Sequence, residues 1–412
     1  MSAHSADEQF LHQALDLARQ GIGLASPNPH VGAVIVDGQG KVAGTGIYTY
    51  DGVKHAEVLA LEGAGSKARG GTLYINLEPH AHQGRTPPCT DALIAAGIHR
   101  VVASIPDPNP KVSGIGFEKL RAAGVQVEVG CLEAQARRLN EAFARYIRHG
   151  VPLVTLKSAM SLDGKIAPSP ALSPALSDAR NHAAETDAAE GFAGHWITGQ
   201  AARAHVHELR HQHDAILVGI GTILADHPLL TDRSGRPRRR PLLRVILDSR
   251  LRLPLESRLI RRAHSGANRT DENSDVLVFT SAGDSEAKKK KVQLESHGVR
   301  VETLPTAPPE GRPDLAAVLR RLGELEITSL MIEGGSTVNG AALAAGIVDK
   351  VFLYYAPTIL GGAGSVPFAT GAESHSERAS ARFRDVRAKD VHLHRFGEDF
   401  AIEGYLRDPY SE

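Results

Sequence analysis

The stretch from His55 to Cys89 limits what this chain can fold into more than any other. His55-Ala56-Glu57 opens a segment with helical character through about Glu62. Thr72-Leu73-Tyr74-Ile75-Asn76-Leu77 then alternates as a strand does, and Glu78-Pro79-His80 follows at its end. Pro87-Pro88 pre-sets the first turn of a further helix carrying Cys89, Leu93 and Ile94. Imidazole, carboxylate and thiolate groups thereby collect at helix starts and beyond a strand end, where open α/β sheets place their ligands.

The surroundings continue this rhythm. A helix over 7–20 is ended by Gly21 and Gly23, and Ser26-Pro27-Asn28-Pro29-His30-Val31-Gly32 turns the chain into a strand at Ala33–Val36. A strand at Arg100–Ser104, a loop at Asp107–Pro110, a helix over 114–123, a strand at Val125–Val129 and a helix over 132–147 follow. Gly150-Val151-Pro152 is the natural boundary between two domains, 1–149 and 150–412, and a length of 412 residues suits two or three domains of about 150 each.

Beyond it, Leu153–Lys157 reads as a buried strand, and Pro168–Gly194, rich in Ala, Ser and Pro, as a mobile insertion. Leu243–Ser249 and Val276–Thr280 are further strands. Arg236–Arg240 and Lys288–Lys291 lack interleaved aromatics and read as solvated faces. Ser329–Ile332 leads through Glu333 into Gly334-Gly335-Ser336-Thr337, where glycines admit a pyrophosphate close to the backbone and a helix start donates N–H groups to it.

The 47 basic and 47 acidic residues cancel, so no charge excess points to nucleic acid or an anionic membrane. No run approaches the roughly 18 apolar residues of a membrane helix, and the first residues do not read as a signal peptide. Two cysteines, Cys89 and Cys131, exclude a disulfide framework and point to a reducing cytoplasm.

His-x-Glu followed by Pro and two soft ligands resembles the zinc-dependent nucleobase deaminases. Polynucleotide deaminases keep two residues between their last two ligands; here eight separate His80 from Cys89. That spacing, filled by Gly84-Arg85-Thr86-Pro87-Pro88, resembles the bifunctional deaminase/reductase family of riboflavin biosynthesis. The likeness resumes over Ser158–Ala167, Asp214–Thr222, Asp226–Arg233, Glu333–Thr337 and Ile359–Gly362. It implies a cytidine-deaminase-like three-layer α/β/α domain followed by a dihydrofolate-reductase-like α/β domain. Its activities would be hydrolytic deamination of a phosphoribosylamino-diaminopyrimidinone, then NADPH-dependent reduction of the ribosyl group to ribityl.

By the same resemblance His55, His80 and Cys89 hold Zn²⁺, Glu57 carries protons from water to the leaving amine, and Asn28 reads the base. In isolation Asn28 reads first as an ordinary turn residue, and only its place beside the zinc motif reverses that preference. Ala159, Trp196, Thr222, Asp226, Ser249, Gly335, Ser336 and Thr337 face NADPH. Arg210, Leu230, Arg233 and Glu333 hold the sugar-phosphate substrate, arginine suiting a dianionic phosphate through its planar fork. No residue of the reductase motifs is assigned as the acid. The partner implied is a small molecule, with no nucleic acid and no membrane, and the assembly a homo-oligomer, dimer or tetramer.

Four positions depart from the family pattern. His80 stands where cysteine is expected, Tyr48 for histidine, Ala81 for serine and Gly194 for a substrate-facing serine. His82 ranks below His80 as a ligand, because the family has a histidine there too. Two other readings stay open: a reductase whose first domain has lost its zinc chemistry, and a nucleotide-binding protein with both sites decayed.

Overall fold

A computed structural model describes residues 3–84, 87–169, 196–264, 274–307, 311–370 and 386–411. The first sheet has the order β2-β1-β3-β4-β5, built from β1 (Gly32–Val36), β2 (Val42–Ile47), β3 (Thr72–Ile75), β4 (Arg100–Ala103) and β5 (Gln126–Val129). β1 runs antiparallel to β2 and β3, while β3, β4 and β5 are parallel. Strand side chains alternate between faces, and both faces are covered. Val34, Val36, Tyr74 and Val102 meet Leu11 and Ala14 of the helix Ala3–Gln20. Ile35, Leu73, Ile75, Val101 and Ala103 meet Ala60, Leu93 and Leu120 from helices on the other side. The result is the expected three-layer α/β/α arrangement.

The helix Ala56–Ala64 lies directly on β2, because Gly44 and Gly46 present no side chain to it. A Cβ on Gly46 would stand 2.0 Å from the Ala56 carbonyl oxygen. The single helix expected over 132–147 is two, Glu133–Leu139 and Glu141–His149. They part at Asn140, whose buried amide binds the backbone of His30 instead of facing solvent.

The second sheet has nine strands in the order β11-β10-β9-β8-β14-β6-β15-β18-β17. They are β6 (Leu153–Ser161), β8 (Ala215–Gly219), β9 (Leu243–Leu247), β10 (Val276–Thr280), β11 (Arg300–Thr303), β14 (Ser329–Ile332), β15 (Lys350–Ala356), β17 (Lys389–Phe396) and β18 (Asp399–Tyr405). The short strands β7 (Lys165–Ala167) and β16 (Val366–Pro367) pair with one another, as do β12 (Thr306–Ala307) and β13 (Arg312–Pro313). From β11 to β15 every neighbouring pair is parallel; β18 and β17 add an antiparallel edge. Adjacent β8 and β14 send the chain opposite ways, β8 outward to β9 and β14 across β6 to β15. A crevice at the strands' C-terminal ends follows from that reversal.

The insertion expected over Pro168–Gly194 lies, but for its first two residues, outside the described residues, and so does Gly194. Lys288–Lys291 lies on the helix Ser285–Ser296. The solvated-face expectation for Arg236–Arg240 is corrected beyond Pro237. The Arg238 and Arg239 side chains are only 13% and 18% exposed, because their guanidinium groups find backbone carbonyls to satisfy.

Candidate active sites

His55 is the N-cap of the helix Ala56–Ala64, and Glu57 lies buried in its first turn. His80 arrives on the loop after β3, and Cys89 is the first residue of the helix Cys89–Ala96. One ligand atom from each of His55, Glu57, His80 and Cys89 lies within 4.8 Å of all the others. His55 Nδ1 is 3.3 Å from Cys89 Sγ. A tetrahedral zinc with bonds of roughly 2.05 Å to nitrogen and 2.3 Å to sulfur needs an edge of about 3.6 Å there. The His55 and His80 rings are 4.3 Å apart, and His82 stands edge-on behind His80 at 5.3 Å. Burial pushes the Glu57 carboxyl up to about 7, against hydrogen bonds from its own amide and the Cys89 thiol. Burial, then the charge of Glu57, raises the Cys89 thiol, while burial and nearby His82 lower His55.

Asn28 donates its amide to the Tyr48 hydroxyl, and the Tyr48 ring meets the His55 ring edge-on at 5.4 Å. Two asparagines fix this turn. The His30 carbonyl accepts from Asn76 at 2.8 Å and Asn140 at 3.1 Å, while their side-chain oxygens accept from Gly32 and His30 amides. On the opposite side, Glu78 accepts from the amides of Asp107, Gly114 and Gly116 at 2.8–2.9 Å. Gly116 lies so close that a Cβ would meet the Pro79 carbonyl oxygen at 2.0 Å. His80 therefore leaves the sheet on a segment locked to the start of the helix Ile115–Ala122.

Sequence reasoning missed Asn76, Glu78 and Asn140. The available signal was a polar residue inside or beside an apolar run, because buried polar groups need partners. Glu78→Ala strands those amide donors. It is expected to cost about 3 kcal/mol or more, since hydrogen bonds to a charged group contribute about 1.5–3 kcal/mol each. A lower denaturant midpoint together with weakened zinc retention would show this; an unchanged midpoint would remove Glu78 from the scaffold of the site.

At the second sheet, Ala159 on β6, Thr222 on the helix Ile220–Asp226, Ser249 just after β9, and Gly335-Ser336-Thr337 at the start of the helix Ser336–Ala344 share the C-terminal edge. The Cβ position of Gly335 is 3.9 Å from Thr222 Oγ1. The buried Ser336 hydroxyl has no hydrogen-bond partner among the described residues. Asp226 is exposed, and Trp196 lies on the surface beneath the Arg203 guanidinium, 4.9 Å from the ring centroid.

Arg210 and Glu333 are paired with each other, Nε to Oε1 and Nη2 to Oε2 at 2.9 Å. The fork expected to meet the phosphate thus engages a carboxylate, and a further hydrogen bond reaches the Thr231 carbonyl at 3.1 Å. Lys157 Nζ lies 3.8 Å from Glu333 Oε2. Burial alone would raise Glu333, but Arg210 and Lys157 pull it down to about 2; burial lowers Lys157. Leu230 is buried in left-handed backbone (φ 53°), whereas Arg233 is exposed. Lys157 has no role assigned from sequence; it closes the apolar run Leu153–Lys157, whereas β6 continues through it to Ser161.

Residues 152–402 match the family model of the RibD C-terminal domain, and residues 4–105 that of the cytidine and deoxycytidylate deaminase zinc-binding region. The riboflavin biosynthesis protein RibD of Aquifex aeolicus is 38% identical over 396 residues, covering 96% of this chain and 97% of that one. The chain belongs to the RibD family. RibD of Escherichia coli is 37% identical over 406 residues, 95% of this chain and 99% of that protein. A solved structure of Acinetobacter baumannii RibD superposes with a TM-score of 0.76 at 32% identity, covering 98% of this chain and 99% of that one. A Thermotoga maritima diaminohydroxyphosphoribosylaminopyrimidine deaminase/5-amino-6-(5-phosphoribosylamino)uracil reductase gives 0.73 at 34% identity with the same coverage.

The RibD family's two regions imply Zn²⁺ and NADPH, and the side chains fit both. Two imidazoles and a thiolate are all zinc donors, and the unpartnered Ser336 hydroxyl at a helix start suits a phosphate. No helix among the described residues of this RibD-family chain is long and apolar enough to cross a membrane.

Proposed function

We propose that this chain performs two successive steps of riboflavin biosynthesis: hydrolytic deamination of a phosphoribosylamino-diaminopyrimidinone, then NADPH-dependent reduction of its ribosyl group to ribityl. The observation that carries the reading is the convergence of His55, Glu57, His80 and Cys89 within 4.8 Å in a chain of the RibD family. His55, His80 and Cys89 would hold Zn²⁺, which when bound supplies Lewis acidity and brings the pKa of water near neutrality. Glu57 takes a proton at its carboxylate and hands it to the leaving amine. Asn28, held by Tyr48, offers its amide to the base. The reading in which only reduction survives fits poorly with His80, whose ring lies 4.3 Å from His55 inside the donor set.

In the second step Ser336, Thr337 and the Gly335 backbone would hold the NADPH phosphates. Ala159, Trp196, Thr222, Asp226 and Ser249 would line the rest of the cofactor site, and NADPH supplies the hydride. Glu333, Arg210, Leu230 and Arg233 would hold the sugar phosphate. Lys157, buried beside Glu333, is the donor this geometry offers for the proton that reduction consumes. We place the boundary between 1–149 and 150–412, because the helix Glu141–His149 completes one unit and β6 begins the next. The ligand is a small molecule rather than a nucleic acid. A cytoplasmic dimer or tetramer completes the proposal, with Val391 and Leu393 exposed on edge strand β17 for a second copy to cover.

Metal removal tests the first step. The purified protein is expected to carry about one zinc per chain, and chelation to abolish ammonia release while NADPH oxidation with the deaminated substrate continues. Zinc-loaded protein that releases no ammonia would defeat the deaminase half of the reading.

A further inference from the structure

Arg238 and Arg239 are adjacent in sequence and grip the two halves of the molecule separately. Arg238 turns inward. It donates to the carbonyls of Arg210 (3.1 Å), His211 (2.9 Å) and His213 (2.6 Å) and to Asp232 Oδ2 (3.2 Å). These carbonyls end the helix Gln200–Gln212, where a cation also complements the helix dipole. The same helix presents Arg210 to Glu333.

Arg239 turns outward onto the first unit. Its backbone amide donates to the Gly23 carbonyl at 2.9 Å, and Nη1 donates to the Ser26 carbonyl at 3.0 Å. Its guanidinium carbon lies 3.5 Å from the centroid of the Tyr50 ring, and Nε is 3.4 Å from Asp51 Oδ1. The two loops it touches lead to the Asn28–Tyr48 pair, whose Tyr48 ring meets His55 of the metal cluster edge-on. Residues 23–26 lead to Asn28; residues 50–51 lie between Tyr48 and His55. On the first unit's own side they are joined by the Tyr50 amide to the Leu24 carbonyl (3.0 Å) and by Asn28 to Tyr48.

We propose that Arg239, supplied by the second unit, is a positioning residue of the deaminase site. It closes these two loops on each other, so the base-reading Asn28 is held by a side chain from across the molecule. Arg238, anchored on the helix that carries Arg210, gives Arg239 a rigid base. A planar guanidinium can stack on an aromatic ring and donate from its edge at once, which an ammonium cannot. This inference rests on the deaminase reading of the His55–Cys89 cluster.

The test compares full-length wild type, Arg239→Ala, Arg239→Lys and Arg236→Ala. Each is assayed for ammonia release, for NADPH-dependent reduction and for amide hydrogen exchange. Arg239→Ala is expected to raise the deaminase KM about tenfold with kcat little changed, the size of one stacked, hydrogen-bonded cation. Reductase kinetics should stay at wild-type values, and amides of residues 24–28 and 49–54 should exchange faster while those of β14 do not. Arg239→Lys should recover part of the loss. Arg236→Ala, whose exposed side chain pairs with Glu208, should match wild type.

Unchanged KM and exchange in Arg239→Ala would overturn the proposal. So would a fall in both activities together with a lower unfolding midpoint, which would make Arg239 a general structural residue. A wild type that releases no ammonia would overturn the deaminase reading itself, and the exchange data would still decide whether Arg239 orders the two loops.

Discussion

Glu57→Gln is expected to lower ammonia release about 10²–10⁴-fold, the usual contribution of a positioned general acid–base group. Bound zinc and NADPH-dependent reduction should stay at wild-type levels. Glutamine keeps the shape and the place in the first turn of the helix Ala56–Ala64, where Glu57 is 3% exposed. It cannot accept and release a proton. The three remaining groups are the donors proposed for the metal, so metal content separates two roles for Glu57. Loss of zinc along with activity would make Glu57 a ligand, and ammonia release near the wild-type rate would take it out of the chemistry. His80→Cys provides the companion measurement, because it restores a second thiolate without touching the proton carrier.

Arg210→Ala should cost about 3–5 kcal/mol of stability in the second unit, the range for removing one partner of a buried ion pair. Both side chains of the pair are largely buried, Arg210 14% and Glu333 12% exposed, so water cannot replace the lost fork. Lys157 Nζ stays 3.8 Å from the carboxylate, and His207 also acts on it. The pH dependence supplies a second readout. In the folded protein Glu333 sits at about 2, below its ordinary 4.5. It therefore contributes stability that is fully present above about pH 4.5 and lost as pH falls toward 2, worth about 3 kcal/mol for a shift of this size. Without Arg210 that depression shrinks, so stability should fall less steeply between pH 4.5 and 2 than in wild type. Reduction should fail as well, since Glu333 is proposed to meet the substrate. Equal stability and equal acid sensitivity in the two proteins would show that the Arg210–Glu333 pair does not hold the site together.

Local signals in the sequence located the chemistry of this chain. His55 and Glu57 are two residues apart at a helix start, His80 follows a strand, and Cys89 follows two prolines that force a helix to begin. Each is a short-range consequence of backbone preference, and the family resemblance was carried by this motif, the residues filling its long spacing and the matching segments of the second half. Alternation along β3 and the apolar runs at β1 and β6 likewise announced strands, and the strand–Gly-Gly–helix segment at Glu333–Thr337 marked a place for a pyrophosphate.

Tertiary structure decided what holds those groups in place. Asn140 reaches His30 across 110 positions, Arg210 meets Glu333 across 123, and Arg239 meets Ser26 across 213. No periodicity or local propensity encodes such pairings. Asn140 in a helical run and Lys157 inside strand β6 look like blemishes in a pattern until the partner is in view. The run Arg236–Arg240 shows the same limit from the other side. Charge predicts solvent, yet a guanidinium fork facing a helix end and a tyrosine ring is more fully satisfied there than a surface position requires. Which outcome applies depends on where the second unit's loop meets the first, and that is a property of packing rather than of composition.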